Sequence, residues 1–240
     1  MNLFRLILLF FIFTSPLKAD AIYDLIRIPN LAIYEINTEN KLKYFYALSS
    51  FRLGIQKNIV CLKPDKKMLD EKYKVIYENL NKYSYNFLKK INLKYIVMCE
   101  NLSISEINTA GIPDHIMKTL ILDIKFDKAY FERVIHHEVF HIINDSYKEI
   151  FNHNDWTKLN NKNFKYAECS TCTNKLGLDT YKKTNGFFTE YSKSTASEDM
   201  AEVFSHLMIK AIKAINDPIL KKKEDFIKTN LLKIDNSFKF

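Results

Sequence analysis

The sequence predicts an α+β fold, mainly helical with a small sheet. Three observations predict it. Apolar residues recur at helical spacing over residues 69–91 and again over residues 131–143. Short runs rich in β-branched and other apolar residues, at 31–36, 94–99 and 119–124, read as strands. No Gly/Ser/Pro linker, internal repeat or low-complexity tract divides the chain between them.

Taken in order, the chain begins like an export signal. Arg5 precedes an apolar run at residues 6–13, followed by Thr14-Ser15-Pro16 and then the small residues Ala19 and Ala21. The run is too short for an ordinary membrane span, and cleavage after Ala19 or Ala21 suits the small-residue rule. Strand 31–36 follows. Residues 41–57 read as helix, with Phe45, Leu48, Phe51 and Leu53 near helical spacing. A second, longer helix is expected from Leu69 to Ile91, with Tyr73, Ile76, Tyr77, Leu80, Tyr83 and Phe87 on its apolar face. Strand 94–99, a turn at Gly111-Ile112-Pro113-Asp114 and strand 119–124 lead into the helix at 131–143, with Asp127 as its expected N-cap. A last helix is expected after Ser197 as N-cap, buried through Ala201, Val203, Phe204, Leu207, Met208 and Ala211.

Composition narrows the function. The net charge is +8 and the lysines are scattered, with one short run at Lys221-Lys222-Lys223. That is a solvated basic surface suited to acidic polymers or an anionic envelope, and no nucleic-acid-reading motif accompanies it. Four glycines are too few for a phosphate-cradling loop. All four cysteines, Cys61, Cys99, Cys169 and Cys172, lie beyond the signal-like segment. An even count in an exported chain allows two disulfides, and Cys61–Cys99 with Cys169–Cys172 is the preferred pairing.

The chemistry centres on His137-Glu138-Val139-Phe140-His141. Residues i and i+4 of a helix share a face, so both imidazoles can hold one ion, with Glu138 beside them to take a proton from water. A hydrolytic zinc site needs a third ligand and an open fourth place. Asn144 and Tyr147 stand where one large class would require glycine and histidine, so the ligand must come from elsewhere. Glu198 and Glu202 lie one turn apart on the last helix. Glu198 can bind the ion, and Glu202 can accept the far N–H of a ligating histidine. His136, His153 and His206 carry no assigned role.

The pattern His137-Glu138-x-x-His141 with Tyr191-x6-Glu198-x3-Glu202-x-Phe204 resembles the gluzincin group that contains the anthrax lethal factor catalytic domain. It resembles more closely a family of exported zinc-binding metallopeptidases, through residues 186–191, 198–204 and Trp156-x2-Leu159-Asn160 with Phe164-x-Tyr166. The likeness spans roughly residues 95–210. It implies a zincin-like domain at residues 66–240, after a signal peptide at 1–21 and an N-terminal helical extension at 22–65. It implies one zinc ion per chain on His137, His141 and Glu198, with Glu202 behind them. Glu138 would be general base and then acid, and Tyr191 would donate to the oxyanion. By the same resemblance, strand 120–124 would be the sheet edge that receives an extended peptide.

The expectation is therefore an exported, periplasmic or secreted, zinc peptidase. It acts as a monomer on peptide or protein substrates, with no nucleic acid and no membrane insertion after signal removal. Two alternatives stay open on sequence alone: a non-catalytic metal-containing envelope or binding protein, and an amidase of cell-wall peptides.

Overall fold

The computed structural model describes residues 28–210 and 217–240. The signal-like segment lies outside them. The described chain is a mixed α/β fold with a curled sheet. Its strands are β1 (Leu31–Glu35), β2 (Lys43–Ala47), β3 (Phe51–Leu53), β4 (Ile59–Leu62), β5 (Tyr95–Ile104), β6 (Ile107–Asn108), β7 (Gly111–Asp114) and β8 (Thr119–Asp123). Its helices are α1 (Lys66–Leu80), α2 (Tyr85–Lys90), α3 (Phe131–Ser146), α4 (His153–Thr157), α5 (Ala196–Ile209) and α6 (Pro218–Ile234).

Strand β5 is the spine. Its first half lies parallel between β2 and β8, and its second half lies antiparallel between β4 and β6. Residues 95–99 are buried on both faces, as a central parallel strand requires. Side chains alternate between two cores. Ile96, Met98, Leu120 and Leu122 join the helices, whereas Val97, Cys99 and Ile121 join a smaller cluster with Ala47, Phe51 and Cys61. The sheet turns where β5 passes from one set of partners to the other. There the buried Asp123 carboxylate accepts the Asn101 and Leu102 amides, each at 3.1 Å, and Asn101 takes a positive φ of 49°.

Four expectations need correction. The sheet is not small: eight strands form one connected sheet among the described residues, and β1 to β4 occupy the expected N-terminal helical extension at 22–65. Residues 41–57 contain β2 and β3 in place of a helix. Lys43-Tyr-Phe-Tyr-Ala47 is rich in strand-forming aromatics, and it buries Tyr44 on the helix side while Ala47 joins the opposite cluster. The proposed long helix breaks at residues 81–84, where Ser84 caps α2 through the Phe87 amide at 3.2 Å. Finally, β8 is not an edge. It is flanked by β5 and by β7, and on that side of the sheet β7 is the last strand among the described residues. Asp123 donates its amide to the Ala110 carbonyl, so by alternation Ile112 faces β8 while Gly111 and Pro113 face outward.

The cap of α3 also differs. The N-cap position is Tyr130, and Asp127 instead holds the turn before it, accepting the Ala129 amide at 2.9 Å. Among the described residues, no helix is long and apolar enough to cross a membrane.

Both disulfides pair as expected. Cys61–Cys99 ties β4 to the spine, and Cys169–Cys172 closes a small loop. Their sequence separations of 38 and 3 residues predict unequal contributions, about 4 and about 1.5 kcal/mol in the chain-entropy account. Guanidinium unfolding of Cys61→Ser/Cys99→Ser should show the larger loss. Equal losses in the Cys169→Ser/Cys172→Ser protein would contradict that account.

Candidate metal centre

Helix α3 is apolar nearly all round and packs against α5 on one side and the sheet on the other. Its one polar stripe toward α5 carries His137 and His141, a turn apart. Helix α5 begins at the Thr195 cap, whose hydroxyl accepts the Glu198 amide at 3.2 Å. That places Glu198 in the first turn and Glu202 one turn later on the same face.

Three ligand atoms converge. His137 Nε2 lies 2.9 Å from Glu198 Oε2, His141 Nε2 lies 3.2 Å from the same oxygen, and the two nitrogens are 3.1 Å apart. An ion 2.0–2.1 Å from three tetrahedrally arranged atoms would hold them about 3.3 Å apart. Two imidazoles and a carboxylate at these spacings therefore fit a zinc ion.

Each histidine is held from behind. His137 Nδ1 meets Glu202 Oε1 at 3.0 Å, and His141 Nδ1 meets Ser197 Oγ at 3.2 Å. These contacts leave each Nε2 for the ion. Burial opposes the His137 charge, but Glu198 and Glu202 outweigh it and bring its pKa up to about 10. Burial likewise opposes the Glu202 charge. There His137, Arg133 and His206 prevail and hold the carboxyl down at about 2. Thr189 Oγ1 donates to Glu202 Oε2 at 2.8 Å, and Arg133 Nε stands 3.8 Å from Oε1.

Glu138 is buried on the same helix, and burial raises its pKa against the pull of His137 and His141. Strand β7 crosses it so closely that a Cβ on Gly111 would stand 2.6 Å from Glu138 Cγ. Tyr191, in a short 3-10 turn (Tyr191–Lys193), lies with its ring 5.9 Å from the His137 ring. Its hydroxyl faces Glu198 and Ser170, and burial with the Glu198 and Glu138 charges keeps the phenol protonated.

The structure thus brings His137, Glu138, His141, Tyr191, Glu198 and Glu202 into one place. It leaves the other histidines out. His136 is a core residue, bonded to Tyr83 at 2.6 Å and Asn79 at 3.0 Å, with its pKa lowered to about 3 by burial and Lys82. His206 donates to the Glu202 carbonyl at 2.8 Å and stacks on Phe188. His153 touches Asn144 near the protein surface.

Sequence reading misses Gly111, Ser197 as a partner of His141, Thr189 and Arg133. Only Thr189 lies inside a run that the resemblance singles out.

A family described as "Putative zinc-binding metallo-peptidase" matches residues 65–235. The chain belongs to that family. Among solved structures, this metallo-peptidase family chain is similar to a crystal structure of a putative zinc-binding metallo-peptidase from Bacteroides caccae ATCC 43185. The two share 19% identity with a TM-score of 0.47, over 90% of this chain and 85% of that one. No curated protein matches.

The geometry separates the two glutamates. Glu198→Ala should lower zinc affinity far more than Glu202→Ala, whose expected loss is about 10–100-fold, as for other partners of ligating histidines. Competition with a fluorescent chelator measures both. The reverse order would move the ligand role to Glu202.

Proposed function

We propose that the chain is an exported zinc-dependent peptidase that hydrolyses amide bonds in peptide or protein substrates. One observation carries this reading: three protein ligand atoms converge among the described residues, with the Glu138 carboxyl on the same helix. A structural zinc site closes with four protein ligands, whereas a hydrolytic one keeps a place free. The family membership and the two disulfides support the reading and its place outside a reducing cytosol.

Zinc, when bound by His137, His141 and Glu198, supplies a Lewis acid that acidifies water and polarises a carbonyl. The chain's own groups do the rest. Glu138 takes the proton of the attacking water and returns it to the leaving nitrogen. Burial favours its neutral form, which suits the second half of that exchange. Glu202 and Ser197 fix the tautomers of the two histidines. Tyr191, held as a neutral phenol, donates to the oxyanion. Strand β7, not β8, offers the free edge beside Glu138 along which an extended substrate can lie. The zincin-like catalytic unit is residues 66–240. Residues 1–21 are the signal, and residues 22–65 supply strands β1 to β4 to the same sheet.

Glu138→Gln keeps size and removes the base. Peptide turnover should fall by about 10²–10⁴ while bound zinc and thermal midpoint stay at wild-type values. Turnover that survives the change would sink the assignment of Glu138. Gly111→Ala drives a methyl group into the Glu138 side chain. Misplacement of that scale should cost about tenfold or more in turnover with zinc content unchanged. A Gly111→Ala enzyme as active as wild type would show that Glu138 has room the structure denies it.

A further inference from the structure

The face of α5 next to the metal-facing one carries Asp199, the residue after the ligand Glu198. It is fully buried, at 0% exposure. Three donors from three separate segments meet on its Oδ2 atom: Trp156 Nε1 from α4 at 2.9 Å, the Tyr166 hydroxyl from the following loop at 2.5 Å, and Lys223 Nζ from α6 at 2.5 Å. Asn160 Nδ2 steadies the Tyr166 oxygen at 2.8 Å. Lys223 is itself fully buried. It donates again to the Gly186 carbonyl at 2.6 Å and lies 3.9 Å from the Phe187 ring centre.

This is costly chemistry for a core. Both side chains are shut away from water at 0% exposure, so pairing them 2.5 Å apart has to offset the desolvation of each. An apolar pair would fill the space more cheaply. What the ionic cluster adds is direction. Consecutive helix residues differ by 100° and 1.5 Å, so fixing Asp199 fixes the roll and axial position of Glu198. On the neighbouring face, Glu198 and Glu202 must meet imidazoles to within a few tenths of an ångström.

We propose that Asp199, through Lys223, Trp156 and Tyr166, is a positioning residue that sets the register of α5 for metal binding. The inference rests on the zinc-peptidase reading of the same site. It also gives a common purpose to residues scattered over positions 156–223: each holds the flank of the helix whose neighbouring face holds the ion. Lys223 of α6, Trp156 of α4 and Tyr166 thereby act on the metal centre without touching it.

The experiment uses the full chain in four forms: wild type, Asp199→Asn, Lys223→Met and the neutral double variant. Each is measured for thermal midpoint, zinc affinity, the visible spectrum of the cobalt-loaded protein, and kcat against KM. Either single variant strands one buried charge and should lose stability and zinc affinity together. The double variant removes both charges and should recover most of the thermal midpoint. Its zinc affinity should stay at least about tenfold low, its cobalt spectrum should be altered, and kcat should fall with KM little changed. A double variant with wild-type midpoint, affinity, spectrum and kcat would show the cluster to be structural only, and would overturn the proposal. If the double variant does not fold, Tyr166→Phe decides. It removes one donor and leaves the ion pair, and is expected to weaken zinc binding about threefold with an altered cobalt spectrum. No change in either refutes the proposal. Wild-type protein that binds neither metal overturns the zinc reading itself, a result distinct from any difference among variants.

Discussion

His137 is the point on which helices α3 and α5 agree. Its Nδ1 meets Glu202 of α5 at 3.0 Å, while its Nε2 and Glu198 Oε2 of the same helix, 2.9 Å apart, face the place left for the ion. Because both carboxylates come from one helix and the ring from another, a single side chain fixes the relative height of α3 and α5. Apolar packing on either side is nondirectional and would tolerate small slides. The polar seam does not. Residues further out arrange themselves to serve it: Thr189 and Arg133 hold Glu202, and Ser197 holds His141.

Much of this seam is legible in the sequence, for a geometric reason. The residues that define it sit four apart on helices, and helical periodicity converts that spacing directly into a shared face. His137 with His141 and Glu198 with Glu202 obey it, so four residues of the site follow from local pattern and side-chain chemistry. Tyr191 and the Trp156–Tyr166 stretch follow only from resemblance, since nothing local says where an irregular segment will fold back. The structure shows residues 158–190 tethered by dispersed contacts. Tyr130 holds Asp179, Arg133 holds the Leu178 carbonyl, and the Tyr191 amide meets the Gly177 carbonyl.

The sheet is less legible. In residues 41–57 the spacing of Phe45, Leu48, Phe51 and Leu53 imitates a helix, but both faces of the segment find apolar partners, so burial does not select one period. The N-terminal strands are stabilised by β5, far away in sequence, and no local signal encodes that pairing. Gly111 illustrates the same limit. One glycine in a Gly-Ile-Pro-Asp run reads as a turn, and only the crossing of β7 over Glu138 reveals that the missing side chain makes room for a carboxylate.

Pro113 has a consequence for the behaviour of the protein in concentrated solution. A free strand edge is a template on which another copy of the same strand can zip, and proteins usually cover or charge it. Here the edge lies beside Glu138, and under the proposed function covering it would block the approach of an extended substrate. Gly111 and Pro113 face outward, and proline has no N–H to give. Gly111 keeps its N–H outward while its carbonyl already accepts the Thr109 hydroxyl at 3.0 Å, so the edge offers too little to propagate a ladder. A single imino acid thus limits the ladder that a second copy of the strand could build on this edge.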